Sequence, residues 1–516
     1  MNGVPQVNRW IVSFSVVIAT FMVVLDGTIV NVALPHIAGS MSSTVEEGTW
    51  TLTSYLVANA IVLPMTGWLA RMFGRRRLLL LSCAGFTIFS FLCGLAPNLI
   101  WLIVFRIIQG LTGGAMQPLS QAIMLEAFPP EERGKAMAAW GICIVAAPIL
   151  GPVAGGWLTD SYSWRWIFYI NVPIGIISLF LINMYVSDPP YLKQQKILGI
   201  NYWGIGMLAV GMGALQIVLD KGQQQDWFSS KYIVVLACIA VVMLLTFIVR
   251  EFFVKNPIID MRVFRDRSFA AGVVLITAVG FVLYGSMVIL PIILQALFGY
   301  PALEAGVVMA PRGLGSLLFT PIVGILISRV DARWLTGYGI VLCTITMFWF
   351  GLLNLNLGYW DLFWPQVFQG VSLSLLFVPL TTLAMRYISK EDMGNATSVF
   401  NLMRNIGGSV GIATATTMLE RNRQMYINIL GAHVTPYDHT SQQTLSGLQS
   451  MLTTAGADPV TAGARAHAML FGVVQRHATM LSFIDLMRLF GILFIVLLPL
   501  LWLTRSSKPQ SPAVKS

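Results

Sequence analysis

Apolar runs long enough to cross a lipid bilayer recur fourteen times along this chain, and that recurrence constrains its fold more than any other feature. They can be drawn at about 10–34, 49–69, 78–96, 99–122, 136–158, 166–186, 201–219, 232–250, 269–297, 304–327, 334–353, 361–385, 396–418 and 484–504. Roughly 20 apolar residues in a helix match the hydrocarbon thickness. Within it only helices and closed barrels satisfy every backbone polar group. Of the 516 residues, 56% are hydrophobic and 10% charged, against about 25% charged in a soluble domain. An all-α, polytopic membrane protein is the expected class. The first run is too long for the apolar core of a signal peptide and no small-residue cleavage site follows it, so it is expected to remain as span 1.

Lysine and arginine sort to one side of this layout. With the N-terminus inside, the segments Arg71–Arg77, Arg133–Lys135, Lys193–Lys196, Arg250–Arg267, Arg329–Arg333, Arg386–Lys390 and Arg505–Lys515 all face the cytoplasm. Together with Arg9 they place 21 of the 32 Lys and Arg there; 8 fall on the other side, and Arg106, Arg312 and Arg404 lie inside spans. The positive-inside rule therefore sets both termini in the cytoplasm. It also accounts for the net charge of +10 without a nucleic-acid partner. The five cysteines all fall in spans with no CxxC, which points to small buried apolar residues and to no disulfide or metal site.

A repeat is hidden in the chain. Shifted by 257, the end of span 2 (Pro64, Gly67, Leu69, Arg76) falls on the end of span 10 (Pro321, Gly324, Leu326, Arg333). At offset 260, Gln109-Gly110, Gly134 and Ala136 fall on Gln369-Gly370, Gly394 and Ala396. Span 2 thus corresponds to span 10 and span 4 to span 12. Two six-helix bundles with two extra helices inserted between them fit this displacement: 1–187, then 188–255, then 256–516. Parallel repeats of this kind suit a transporter with a central site where the halves meet.

Five motifs in order resemble one family. Leu25–Pro35 (LDGTIVNVALP), Gly67–Arg77, Arg106–Gly110 (RIIQG), Ala147–Gly156 (APILGPVAGG) and Trp164–Gly175 (WRWIFYINVPIG) fall on spans 1, 2, 4, 5 and 6. The chain resembles the major facilitator superfamily, and within it the fourteen-span drug:proton antiporters of the EmrB/QacA type. The resemblance implies the major facilitator fold, residence in the inner membrane, and proton-coupled export of lipophilic compounds. It also implies a periplasmic EmrA-like adaptor and an outer-membrane channel as partners. Two departures stand out: Arg71 replaces the acid of the loop motif, and Ala147 replaces the first glycine of the antiporter motif.

Asp26 is the residue with most to explain, because a carboxylate deep in an apolar span costs at least ~2.5–3.5 kcal/mol on insertion scales. It lies eight residues from the outer end of span 1, and Arg106 seven from the outer end of span 4. At about 1.5 Å per residue both sit ~10–12 Å below the outer surface, so an ion pair is feasible. Asp26 is expected to exchange the coupling proton or hold a cationic drug, with Arg106, Asn31, Tyr55, Gln109 and Arg404 around the path; a purely structural pair is the rival. Arg106 aligns with Gln366 and Asp26 has no acidic counterpart near Leu283, so the charge is confined to one half. Gly67, Gly74 and Arg75 of the loop motif, and Ala147, Gly151, Pro152, Gly155 and Gly156 of the antiporter motif, are expected to serve conformational switching. The small residues of span 5 in particular should form a tight seam between the halves. Arg312 is a further cavity candidate, Glu126 is expected to be a solvated charge at a helix end, and Asp485 to be interfacial.

The segment 420–483 is expected to be a long polar outer, periplasmic loop. It holds all but one of the five histidines, at spacings that do not make a metal site. Ala462–Leu481 shows helical apolar periodicity, and the segment either covers the protein's own outer surface or docks the adaptor. No Walker A sequence is present, so the protonmotive force is the expected energy source and no cofactor is expected. The outright rivals are export of one endogenous metabolite or siderophore on the same scaffold, and a non-transporting membrane scaffold or sensor. No nucleophile–base constellation supports an enzyme.

Overall fold

A computed structural model describes residues 8–129, 132–188, 201–254, 257–435 and 437–504. The described residues are helical and contain no strand. Six long helices come first: α1 (Arg9–Ser40), α2 (Trp50–Phe73), α3 (Arg75–Leu95), α4 (Leu99–Ala127), α5 (Arg133–Ser161) and α6 (Trp166–Tyr185). Two more, α7 (Tyr202–Lys221) and α8 (Lys231–Glu251), precede the second set. That set is α9 (Arg267–Ala296), α10 (Ala302–Leu326), α11 (Ala332–Phe350), α12 (Tyr359–Met385), α13 (Met393–Gly431), α14 (His439–Thr454) and α15 (Pro459–Leu497). Eleven of these helices are long and apolar enough to cross a membrane; α5, α11 and α13 occupy the places of expected spans 5, 11 and 13.

The internal repeat reappears as packing. In the first set α1 lies on α5, α2 on α4, and α3 on both α4 and α6. In the second, α9 lies on α13, α10 on α12, and α11 on both α12 and α15. The halves meet through α5 on α10 and through α13 on the lower part of α2, each the repeat mate of the other. Helix α8 is at the flank, where Val235, Val241, Val242, Leu245 and Val249 are exposed, a surface suited to lipid.

Proline and glycine decide where helices bend. In α2 a short 3-10 turn, Leu63–Met65, interrupts the helix at Pro64, which has no N–H to donate. Gly74 ends α2 at φ 84, a left-handed angle that only glycine adopts freely.

One expectation is corrected outright. Residues 420–483 are not a loop: α13 and α15, each 39 residues long, extend into it, and α14 lies along α15 between them. A helix satisfies its own backbone hydrogen bonds in lipid and in water alike, so no break is needed where the chain leaves the bilayer. Tyr426 Oη donates to Asp485 Oδ2 at 2.5 Å and ties the two extensions together. The segment therefore projects from the bundle as a helical hairpin, and the end that carries it is called the hairpin end below. The opposite, basic end carries Arg71–Arg77 and Arg133–Lys135.

Candidate functional site

Asp26 and Arg106 meet inside the first bundle. Arg106 Nη1 donates to Asp26 Oδ2 at 2.6 Å, and neither side chain has any exposed surface. The other carboxylate oxygen, Oδ1, accepts from Asn171 Nδ2 at 2.8 Å and from Gln109 Nε2 at 3.2 Å. Gln109 sits one turn after Arg106 and accepts a second bond from Arg106 Nη1 at 2.9 Å. Arg106 Nε donates to the Thr51 carbonyl at 3.1 Å, and the Tyr55 ring lies 4.2 Å from the guanidinium carbon. Four helices thus supply one closed polar cluster: α1, α2, α4 and α6.

Such a cluster is stable only when complete. Removing one partner of a buried ion pair costs about 3–5 kcal/mol, because the remaining charge is left without compensation. Here each carboxylate oxygen has at least one N–H donor, which is what an ionised acid in an apolar bundle requires.

Of the expected residues, Asp26, Arg106, Gln109 and Tyr55 come together. Asn31 does not: it is exposed, five residues on from Asp26 and so on another face of α1. Arg404 is buried in the other half, with its Nη2 on Asn405 Oδ1 at 3.4 Å and its guanidinium carbon 5.4 Å from the Phe377 ring. Its Nε and Nη1 find no acceptor among the described residues. Arg312 Nε donates to Gln366 Oε1 at 2.8 Å, so the position aligned with Arg106 holds the acceptor and the arginine comes from α10 instead.

One member of the cluster, Asn171, and its support from α3, Ser90, escape sequence reasoning. Asn171 donates to Asp26 and also to Ser90 Oγ at 3.0 Å, and Ser90 in turn donates to the Phe168 carbonyl at 2.9 Å. Asn171 lies in the WRWIFYINVPIG motif, which was a signal; a single serine in an apolar span is not one.

The antiporter motif does not form the seam between the halves. A Cβ on Gly155 would stand 2.7 Å from the Ile29 carbonyl, one on Gly151 would strike Thr28, and Gly156 also faces α1 through Val32. Thr28 Oγ1 reaches the Ala147 carbonyl at 3.5 Å. All of this is contact within one bundle, two to six residues from Asp26. The seam with α10 lies nearer the basic end, at Gly134 and Ala138, where a Cβ on Gly324 would stand 2.7 Å from the Ala138 Cβ. With 3.6 residues per turn, the face carrying Gly151 and Gly155 is turned roughly a quarter of the way round α5 from that seam. Pro152 lies within α5, its side chain outside the described residues.

The halves are closed against one another at the basic end. Gly67 lets α2 reach α13, since a Cβ there would stand 2.8 Å from the Asn395 Cα. Arg133 Nη1 reaches the Met385 carbonyl at 3.4 Å, and Asn401 Nδ2 donates to Gln121 Oε1 at 2.5 Å further in. Arg71, where an acid was missing, donates to the Pro257 carbonyl at 3.2 Å. Glu126 is no solvated charge: it is in an ion pair with Arg75, and its side chain is 11% exposed. Asp188 Oδ1 accepts the Arg76 N–H at 2.8 Å beside Gly74.

Two bundles related by a repeat, closed at one end, with one self-contained acid–base cluster in one of them, define a secondary transporter. The chain belongs to the Major Facilitator Superfamily, whose sequence profile matches residues 16–412. Among its relatives, the fatty acid resistance protein FarB of Neisseria gonorrhoeae is 37% identical over 503 residues, covering 96% of both chains. The multidrug export protein EmrB of Haemophilus influenzae is 42% identical over 429 residues, 82% of this chain and 83% of that one. EmrB of Escherichia coli K12 is 35% identical over 496 residues, 96% of this chain and 95% of its own. The human organic anion transporter MFSD10 superposes with a TM-score of 0.61 at 14% identity over 96% of this chain and 99% of that one. At that identity it speaks for the fold alone.

Proposed function

We propose that this chain is an inner-membrane, proton-coupled exporter of amphipathic toxic compounds that works by alternating access. The observation that carries the reading is the Asp26–Arg106–Gln109–Asn171 cluster. It is a single titratable acid, fully enclosed, on a helix whose neighbour α5 also packs against the other half. Protonating Asp26 would dissolve the ion pair and leave Arg106 uncompensated. A penalty of about 3–5 kcal/mol is of the size needed to exchange the populations of two conformations. The protonmotive force supplies that proton. Tyr55 and Gln109 hold the guanidinium in place, and Arg404 offers the cargo a cation from the second half. The basic end faces the cytoplasm and the hairpin end faces out, so the closure at Gly67 belongs to an outward-directed state. The hairpin of α13, α14 and α15 is where an EmrA-like adaptor, leading to an outer-membrane channel, would dock.

Two relatives named multidrug export proteins support a broad cargo range. A relative named for fatty acid resistance, matching 96% of the chain, supports a second reading: export of one class of compound on the same scaffold. The deciding experiment is substrate-driven proton release from proteoliposomes, native against Asp26→Asn, with lipophilic cations, uncouplers and a long-chain fatty acid as separate probes. Release with several probes that vanishes in Asp26→Asn supports the broad exporter; release with one class alone supports the second reading. Equal release from both proteins removes Asp26 from the coupling step.

A further inference from the structure

The inserted helices α7 and α8 have no counterpart in the repeat, and nothing in the transport cluster uses them. Their contacts are nevertheless asymmetric in a telling way. On one side of the molecule α5 packs directly on α10. On the repeat-related side α13 packs on the lower part of α2, and the upper part, Trp50–Val62, instead lies against α7, which also touches α13. Helix α7 therefore fills the cleft between the halves at the hairpin end.

Polar bonds fasten it to both walls. Towards the first half, Thr53 Oγ1 donates to the Asp220 carboxylate, and Lys221 Nζ donates to Thr49 Oγ1 at 2.5 Å. Lys221 also lies 5.4 Å from the Trp50 ring, within cation–π range. Towards the second half, Ser409 Oγ donates to Gln216 Oε1 at 3.2 Å, and Trp227 Nε1 donates to Thr417 Oγ1 at 2.9 Å. The turn after α7 is built to deliver that indole. Asp226 and Trp227 both adopt φ 51, unusual for residues with side chains, and Gly222 leaves room for the ring, which a Cβ would approach to 2.6 Å.

We propose that α7 and its turn form a latch at the hairpin end. They ride with the first half through Asp220 and Lys221 and grip α13 through Gln216 and Trp227 when the basic end is closed. Closing the hairpin end while the basic end opens carries the first half, with α7 on it, across α13, so the two bonds to α13 must break for the basic end to open. The inference rests on the alternating-access reading, but its test reads conformation without cargo.

The test uses full-length protein in lipid with Ala70→Cys, a reporter buried at the basic-end contact, labelled by a membrane-impermeant maleimide and quantified by mass spectrometry. In Trp227→Phe with Ser409→Ala the latch is weakened, and labelling of position 70 should rise several-fold. In Gln216→Cys with Ser409→Cys, oxidation should form the 216–409 disulfide, suppress labelling and stop transport, all restored by reductant. Unchanged labelling in both variants, or native transport with the disulfide formed, overturns the latch. If labelling responds as stated while no compound drives proton release, the latch stands and the exporter reading falls.

Discussion

Gly67 of α2 and Asn395 of α13 approach so closely that a Cβ on the glycine would stand 2.8 Å from the Asn395 Cα. The repeat mate of Gly67, Gly324, meets Ala138 of α5 at 2.7 Å in the same way. The loop motif thus owes its glycine to contact between the halves. Gly67→Ala should hold the basic end open, because the obstacle is backbone that cannot rotate away. Maleimide labelling of Ala70→Cys should increase in that background, and unchanged labelling would show that the contact yields.

Asp26 and Arg106 should prove coupled in stability as well as in transport. Each single variant, Asp26→Asn or Arg106→Gln, leaves one buried charge or a broken network and should lose about 3–5 kcal/mol. The double variant removes both charges and should recover much of that loss while transport stays absent. Thermal melts in detergent measure it; additive losses would mean the pair contributes nothing as a pair.

Gly155→Val is expected to impair transport without touching Asp26 directly. The new side chain would push α1 away at the Ile29 carbonyl, one turn from the carboxylate. Overpacking of this kind costs about 1–3 kcal/mol. The matching control is Gly156→Ala, whose nearest neighbour stands at 3.8 Å and which should transport normally.

At the tip of the hairpin, Asp438 caps α14 through the N–H and the hydroxyl of Ser441. Those bonds draw its carboxyl below the usual carboxylate range. The folded value is therefore the lower one, so the cap is fully present above about pH 4 and is lost as pH falls through the depressed value. At neutral pH, Asp438→Ala should loosen the first turn of α14. Faster amide exchange over 439–443, with the rest of the chain unchanged, would show it.

Much of the site was legible in the sequence because two charges in apolar spans are rare and depth follows from counting residues. Asp26 and Arg106 were paired on that ground. Asn31 was misplaced because motif membership says nothing about helix face. Asn171 lies within a motif, but nothing along the chain assigns it a role, since its partner is 145 positions away. Glu126 looked like a helix-end charge until Arg75 folded onto it.

By itself the sequence determined the membrane class, the duplicated halves and the acid at the centre. Hydrophobic length, offset and isolated charge are all properties read along a line. Only the tertiary structure decided that the glycines of α5 hold α1 rather than the opposite half, that 420–483 is a helical hairpin, and that α7 bridges α2 and α13. Each of those depends on which face of a helix meets which neighbour. The angle between faces is set by the packing of several helices at once, and no single stretch of sequence carries it.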